Sequence, residues 1–253
     1  MDKKQGKVRI GISNGQVPGN KSTFPEVFQS KTRLHYYGSL FNTIEINSTF
    51  YKTPRRQTCV KWTDDVPDDF RFTLKLSRSI THAPELNYEA GSIEKFMEAA
   101  SGICQKKGCL LIQFPGKITL EYFAKVEEIL SGIRQYDASN EWRLAVEFRN
   151  ESWYIRETTE LLNEMGAAMV LHDFSKAKIS TVSDNAEFSY LRFHGPEGNY
   201  RESYSDEVLI EKSVFIHELS SSGRDVYVCF NNTAGNAYGN ALFLKTLIKE
   251  QEH

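Results

Sequence analysis

The stretch Asn-Thr-Ile-Glu-Ile-Asn-Ser-Thr-Phe-Tyr, residues 42–51, carries the first clue to the fold. Its β-branched residues predict a β-strand. Because side chains alternate across a strand, Glu45 and Asn47 share one face, while Ile44 and Ile46 share the other. If both faces are covered, the carboxylate points into the interior and needs partners there.

The composition is typical of a soluble globular protein. The chain has 253 residues, of which 40% are hydrophobic and 25% charged. This length allows one or two domains, and an α/β barrel of this size is one domain. A net charge of -2 gives no basic field of the kind that indicates extended nucleic acid or a membrane surface.

Localisation is inferred from what the sequence lacks. We see no signal peptide and no segment of membrane-spanning length, so a cytoplasmic location is expected. The four cysteines lack the spacing of metal ligands, and we expect them to be buried free thiols.

Strand-like runs resembling the first one recur along the chain. They cover residues 8–13, 43–49, 71–77, 109–114, 144–149, 167–173, 190–195 and 226–231. Apolar residues at helical spacing, such as Phe123, Val126 and Ile129, lie between them, and Ser205 opens a further helix.

This alternation predicts an α/β protein with a TIM-like (β/α)8 barrel, as a single domain over 1–253. It is irregular around the sixth βα unit, because residues 174–187 are too polar and too short for a normal helix. A doubly wound open sheet is the competing fold. We disfavour it because Gly11, Gly15 and Gly19 lack the spacing of a dinucleotide-binding loop.

Each predicted strand carries polar side chains near its carboxyl end, where barrel proteins bind ligands. These residues are Ser13, Asn14, Glu45, Asn47, Lys75, Arg78, His82, Gln113, Glu147, Arg149, His172, Asp173, Arg192, His194, Asn231 and Asn232. Burying any of them alone would cost several kcal/mol or more for a charge. We therefore expect them to converge on one mouth of the barrel.

Two readings of this polar set remain open. Glu147 and Arg149 are two residues apart and share a face, as do Arg192 and His194. A purely structural network of salt bridges is one reading. Such networks seldom stabilise a protein relative to apolar packing, which favours a functional use.

Two further features flank the predicted mouth. The loop over residues 231–237 precedes the last helix and can bind phosphate at the helix N-terminus, or it can be a plain turn and cap. Aromatic side chains can stack on a base or sugar ring, or can close the mouth by packing. They are Phe50, Tyr51, Trp153, Tyr154 and Tyr200.

Several of these motifs resemble the YecE-like family, also called domain of unknown function 72. The resemblance runs in order through Thr-Ile-Glu-Ile-Asn-Ser-Thr-Phe-Tyr (43–51), Phe-Thr-Leu-Lys (72–75) with Ile-Thr-His (80–82), Leu-Ile-Gln-Phe-Pro (111–115), Val-Glu-Phe-Arg (146–149) with Ser-Trp (152–153), Leu-Arg-Phe-His-Gly (191–195) and Phe-Asn-Asn-Thr (230–233). It implies a TIM-like barrel but no settled activity. Gln16 and Asn150 stand where the family commonly has tryptophan and histidine.

The function that these residues predict is an enzyme acting on a phosphate-bearing or otherwise anionic substrate. The candidate catalytic residues are Glu147, Glu45, His194 and Asp173, acting by acid/base chemistry. The candidate substrate-binding residues are Asn47, Lys75, His82, Gln113, Arg149, Arg192, Asn231 and Asn232.

Alternative functions use the same residues. A divalent metal ion could be held by Glu147, His172, Asp173 and His194, as in a phosphodiesterase-like hydrolase, but this spacing is not diagnostic and we assign no metal ligands. Glycoside hydrolysis by Glu45 and Glu147 ranks lower, because neighbouring cations suppress the protonated form. A non-catalytic nucleotide-binding or nucleic-acid-binding protein remains the other class.

Overall fold

Parallel strands alternate with helices in the computed structural model, which describes residues 4–173 and 186–251. The strands are β1 (Val8–Ile12), β2 (Thr43–Ile46), β3 (Arg71–Lys75), β4 (Lys107–Phe114), β5 (Arg143–Phe148), β6 (Ala167–Met169), β7 (Leu171–His172), β8 (Phe188–Phe193) and β9 (Asp225–Phe230). The helices are α1 (Glu26–Gln29), α2 (Arg33–Leu40), α3 (Ser48–Tyr51), α4 (Arg56–Asp64), α5 (Arg78–Thr81), α6 (Ser92–Ala100), α7 (Phe123–Gln135), α8 (Arg156–Glu164), α9 (Asp206–Ser221) and α10 (Ala237–Gln251).

The strands close into a ring. Hydrogen bonds join them in two parallel series, β1-β9-β8-β7 and β2-β3-β4-β5-β6. β6 and β7 are the two halves of one strand, which pairs with β5 before Val170 and with β8 after it. A parallel bridge between Ser13 and Glu45 joins the β1 and β2 edges. The predicted TIM-like barrel is therefore confirmed, with β6 and β7 together counting as its sixth strand.

Side chains hold the seam between β1 and β2. The Tyr37 hydroxyl accepts a hydrogen bond from the Ile12 amide and donates one to the Thr43 carbonyl, both at 2.8 Å. The Asn42 amide bonds two further backbone groups of β1. Gly11 lets the strands approach here, since a Cβ at this position would lie 2.1 Å from the Thr43 carbonyl oxygen.

Two apolar cores lie on opposite faces of the strands. The larger packs the outer strand faces against the helices. The smaller fills the barrel interior and consists of Cys109, Leu111, Ala145, Ala168, Val170, Phe188, Tyr190, Tyr227 and Cys229. Because side chains alternate along a strand, the residues two and four positions further on also face inward and line the carboxyl-end mouth.

The first predicted strand is shorter than expected. It ends at Ile46, and Ser48–Tyr51 form a helical turn, so the prediction of a strand to residue 49 was wrong. The Thr49 hydroxyl donates to the carbonyls of Ile46 and Lys75, at 2.8 and 2.7 Å. This side chain-to-backbone bonding competes with strand pairing and turns the chain across the mouth.

Other expectations met mixed outcomes. Ser205 caps α9 by accepting from the Val208 amide, as predicted. Cys59, Cys109 and Cys229 are buried free thiols, but Cys104 is exposed, contrary to expectation. Residues 174–185, which carry most of the predicted irregular unit, lie outside the described residues. None of the helices described is both long and apolar enough to cross a membrane.

Candidate functional site

Arg192 lies at the centre of a buried charge network inside the barrel. Its Nε and Nη2 atoms donate to the two oxygens of Glu45, at 2.9 and 2.7 Å. Its Nη1 atom donates to Glu147 Oε2 at 2.6 Å. The exposed fraction is 1% for both Arg192 and Glu45, and zero for Glu147. One guanidinium therefore joins carboxylates from β2 and β5 through charge-assisted hydrogen bonds.

All the lone pairs of Glu45 are occupied. Besides the two bonds from Arg192, its Oε1 accepts from the Ser13 hydroxyl at 2.7 Å, and its Oε2 accepts from the Tyr190 hydroxyl at 2.9 Å. A carboxylate offers about four acceptor positions. Glu45 therefore has no acceptor position left for a substrate proton.

Arg149 forms the next layer towards the mouth. Its Nε donates to Glu147 Oε1, and its Nη2 lies 2.9 Å from His194 Nε2. Arg192 Nη1 lies 3.3 Å from the same imidazole nitrogen. Guanidinium groups only donate, so Nε2 of His194 is an acceptor and carries no proton in this arrangement.

Asp173 completes the arrangement around His194. Its Oδ1 accepts from the His194 backbone amide at 2.8 Å and lies 3.2 Å from Nδ1. Its Oδ2 accepts from the Tyr204 hydroxyl, which itself accepts from the Gly195 amide at 2.6 Å. The proton of His194 is therefore on Nδ1, held by Asp173, and the imidazole is neutral.

His172 does not point to the same place as Asp173, as their adjacency in sequence predicts. Its Nε2 lies 3.2 Å from the Phe148 carbonyl and 3.3 Å from the Tyr154 hydroxyl. Its ring meets that of His194 edge to face, with 6.0 Å between centroids. Within residues 4–173 and 186–251, no three His, Cys, Asp or Glu side chains are grouped so that they could hold a metal ion.

Lys75 differs from the other cations of the mouth. Its Nζ lies over the Phe50 ring, 4.3 Å from the centroid. Among the described residues it forms no ion pair and no side-chain hydrogen bond. His82 packs on the same ring at 4.9 Å. The ammonium is therefore held by a cation–π contact at the mouth, without a carboxylate to neutralise it.

Two amide side chains share this environment. Gln113 lies opposite Glu147 in the β4–β5 register, and Asn231 follows Cys229 by two residues on the inward face of β9. Neither side-chain amide has a hydrogen-bond partner within the described part of the chain. The buried Oδ1 of Asn47 also lacks one there. These amides are free to bind a ligand.

The loop after β9 uses its polar groups internally. Asn232 donates to the Glu202 carbonyl at 2.9 Å and to Asn240 Oδ1 at 3.1 Å. The amides of residues 234–236 donate to backbone carbonyls, and Asn236 caps α10 by accepting from the Gly239 amide. With these donors occupied, the loop offers a poor site for the phosphate predicted there.

The opposite end of the barrel provides a comparison. Arg9 donates to the carbonyl and carboxylate of Asp69, at 2.6 and 3.1 Å. Arg143 donates to Asp225 Oδ2 at 2.8 Å. Both arginines are thus paired at the amino end, whereas Lys75 at the carboxyl end has no carboxylate partner among the described residues. The sequence analysis did not identify this second polar layer.

Electrostatics keeps the network ionised. Burial would raise the pKa of Glu45, but the charge and hydrogen bonds of Arg192 outweigh it and lower the pKa from 4.5 to about 2. The same competition, with Arg192 and Arg149 prevailing, holds the pKa of Glu147 well below its usual range. Burial lowers the pKa of His194, against the opposing effect of Asp173.

Lys75 is tuned in the other direction. Burial, followed by repulsion from Arg192, lowers its pKa from 10.5 to about 8. Burial and the charges of Lys75, Arg78 and Lys117 lower the pKa of His82 to about 4. This side of the mouth is therefore positive near neutral pH, although the whole protein carries a net charge of -2.

Acid should destabilise the protein through Glu45. Its pKa is 4.5 without the fold and about 2 within it, so the folded state is favoured above pH 4.5 and loses this advantage as the pH falls towards 2. We expect about 3 kcal/mol of unfolding free energy to be lost over that interval. Urea unfolding at several pH values measures the loss. Glu45→Gln should show a shallower acid dependence; an unchanged slope would contradict the assignment.

Sequence reasoning missed two tyrosines of the network. Tyr190 precedes Arg192 by two residues, so the same period-two argument that paired Arg192 with His194 identifies it. Tyr204 lies in an irregular segment before α9, and no local pattern marks it as a partner of Asp173. Trp153 is fully buried, and its indole donates to the Ile118 carbonyl at 2.8 Å, so its role is packing.

Comparison with known proteins places this arrangement in a family. A family model described as "Protein of unknown function DUF72" matches residues 9–253. The chain belongs to the DUF72 family. UPF0759 protein YunF of Bacillus subtilis is 25% identical to it over 245 residues, 85% of either chain. UPF0759 protein YecE of Escherichia coli is 30% identical over 84 residues, 33% of this chain and 31% of YecE.

Solved structures of the family share the barrel. A DUF72 family protein from Enterococcus faecalis superposes with a TM-score of 0.79 at 22% identity, covering 96% of this chain and 95% of that one. One from Thermotoga maritima gives a TM-score of 0.74 at 27% identity, covering 96% and 99%. An AP endonuclease, family 2, from Brucella melitensis shares the fold at 11% identity, with a TM-score of 0.59 and coverage of 94% and 98%.

This DUF72 chain departs from the family motif at a position with a clear local role. Asn150 follows Arg149, where histidine is common in the family. Its Oδ1 accepts from the Ser152 amide at 3.0 Å, and its Nδ2 donates to the Gly116 carbonyl at 2.8 Å. Asn150 therefore ties the loop after β5 to the loop after β4.

Proposed function

We propose that this single-domain DUF72 barrel is an enzyme that binds a phosphate-bearing or otherwise anionic substrate at its carboxyl-end mouth. One observation supports this most directly: the partly buried ammonium of Lys75 has no carboxylate partner among the described residues. Burying a cation is costly unless something pairs with it. A bound anion would provide that pairing.

The buried carboxylates act by positioning rather than by proton transfer. Glu45 has no free lone pair, and the pKa values of both Glu45 and Glu147 are lowered, so neither suits a general acid. They hold Arg192 and Arg149 in place instead. This revises the catalytic roles that the sequence predicts for the two glutamates.

Lys75 is the better candidate for proton transfer. Its pKa of about 8 is close to the pH at which a general acid or base is most effective. His194 is less suited, since its Nε2 accepts from Arg149 and its Nδ1 faces Asp173. In the proposed site, Lys75 holds the anion and exchanges a proton with it, while Gln113 and Asn231 orient it.

Sulfate is a suitable probe of this site because it keeps one charge state across neutral and mildly alkaline pH. Binding requires the protonated ammonium, and the pKa of Lys75 is about 8. Affinity should therefore fall about tenfold between pH 7 and 9. Titration calorimetry across this range measures it. Phosphate esters, sugar phosphates and nucleotides, with and without divalent ions, can then be screened for turnover.

The matched controls are two lysine variants. Lys75→Met should abolish the pH-dependent part of sulfate binding, whereas Lys61→Met, on the exposed face of α4, should retain it. A flat pH profile in the wild-type protein would overturn the proposal. The free thiols Cys59, Cys109 and Cys229 accord with the cytoplasmic location that we also propose.

A further inference from the structure

A second basic cavity lies beside the mouth. Its volume is about 440 Å³, and its lining includes Lys52, Arg78 and Lys95. All three side chains are exposed, and within residues 4–173 and 186–251 none of them forms an ion pair. Glu89 is the one acidic residue of the lining. The cavity therefore gathers three cations against one anion in a protein whose net charge is -2.

The chain connects this cavity directly to Lys75. Ser77, which lines the cavity, follows Lys75 by two residues, a span of roughly 7 Å in extended chain. On the other wall, Tyr51 contacts Phe50 edge to face with 5.1 Å between ring centroids, and Phe50 carries the Lys75 ammonium. Two anion-binding positions are thus separated by about the spacing of neighbouring phosphates in an extended strand.

Tyr51 adds a feature that a simple anion does not need. Its exposed fraction is 69%, the second largest among the exposed large hydrophobic side chains described. It lies on the lining of the cavity, next to the cations. An exposed aromatic ring beside a basic groove is the arrangement with which proteins stack the bases of single-stranded nucleic acid.

We infer that the substrate is a short phosphodiester-linked strand, with one phosphate at Lys75, the neighbouring phosphate in the basic cavity and a base stacked on Tyr51. The inference rests on the proposed function, because it extends the anion site at Lys75. A short strand meets few cations, which agrees with the small net charge. Extended nucleic acid would need many more phosphate contacts.

Binding of a short fluorescent oligothymidylate tests the inference, with sulfate as the single-anion probe. Tyr51→Ala should weaken oligothymidylate binding by about tenfold, which is the effect expected for loss of one stacked base. Replacing Lys52, Arg78 and Lys95 together with alanine should flatten the slope of log affinity against log salt by about 2. Neither change should alter sulfate binding at Lys75. Tyr136→Ala, at another exposed tyrosine, is the matched control.

The outcomes separate this inference from the proposed function. If sulfate binding depends on Lys75 but the cavity variants bind oligothymidylate like wild type, the strand inference fails and the anion site stands. If the cavity variants lose oligothymidylate while Lys75→Met leaves sulfate binding unchanged, the proposed function fails. Circular dichroism of each variant shows whether the fold is retained.

Discussion

Arg192→Met is expected to destabilise the protein by roughly 3–5 kcal/mol, because it leaves the buried carboxylates of Glu45 and Glu147 without their shared cation. Both carboxylates have almost no exposed surface, so solvent cannot replace the lost partner. Chemical unfolding of the variant against wild type at neutral pH measures the change.

Charge and shape can be separated with two further variants. Arg192→Lys keeps the charge but loses the planar fork that spans the two glutamates, so it should recover only part of the stability. Combining Arg192→Met with Glu45→Gln and Glu147→Gln removes all three charges and should recover more than Arg192→Met alone retains. A single Arg192→Met variant as stable as wild type would show that the network does not hold the barrel together.

Lys75→Met should produce the opposite effect on stability. Its folded pKa of about 8 lies below the ordinary 10.5, so the fold disfavours the charged ammonium at neutral pH. Removing the charge should raise the unfolding free energy by about 1–2 kcal/mol, a value reduced for partial exposure to solvent. Thermal or urea unfolding at pH 7 measures this gain.

The sign of the pH dependence provides an independent check. Below pH 8, wild type bears the full cost of the charged lysine in the folded state. Between about pH 8 and 10.5 the unfolded chain binds more protons, so wild-type stability should rise and approach that of Lys75→Met. Lys61→Met, at an exposed position, should show no such convergence. If Lys75→Met instead loses both stability and sulfate binding, the lysine is structural.

A more stable variant that no longer binds the anion would identify Lys75 as a residue retained for function at the expense of stability. The rest of the mouth does not show this conflict. Arg192 and Arg149 are satisfied by carboxylates, and their removal should weaken the fold and the site together. Lys75 is therefore the position at which binding and stability are expected to change in opposite directions.

The primary structure was sufficient for the barrel itself. Period-two alternation at Glu45, Glu147 and Arg192, with helical spacing between the strands, predicted eight strands and an inward polar face. Both properties are local, because they follow from strand geometry and from the cost of burying charge. The strand end at Ile46 was misplaced, because the Thr49 hydroxyl bonds the carbonyl of Lys75 on a neighbouring strand.

Only the tertiary structure decided which polar groups are occupied and which are free. Sequence spacing treated Glu45 and Lys75 alike, as ionisable groups at strand ends. In the folded barrel Glu45 is bonded by Ser13, Tyr190 and Arg192 from distant parts of the chain, whereas Lys75 meets only the Phe50 ring. The physical reason is that hydrogen-bond satisfaction depends on donors brought together across the ring, and no local pattern records their distances.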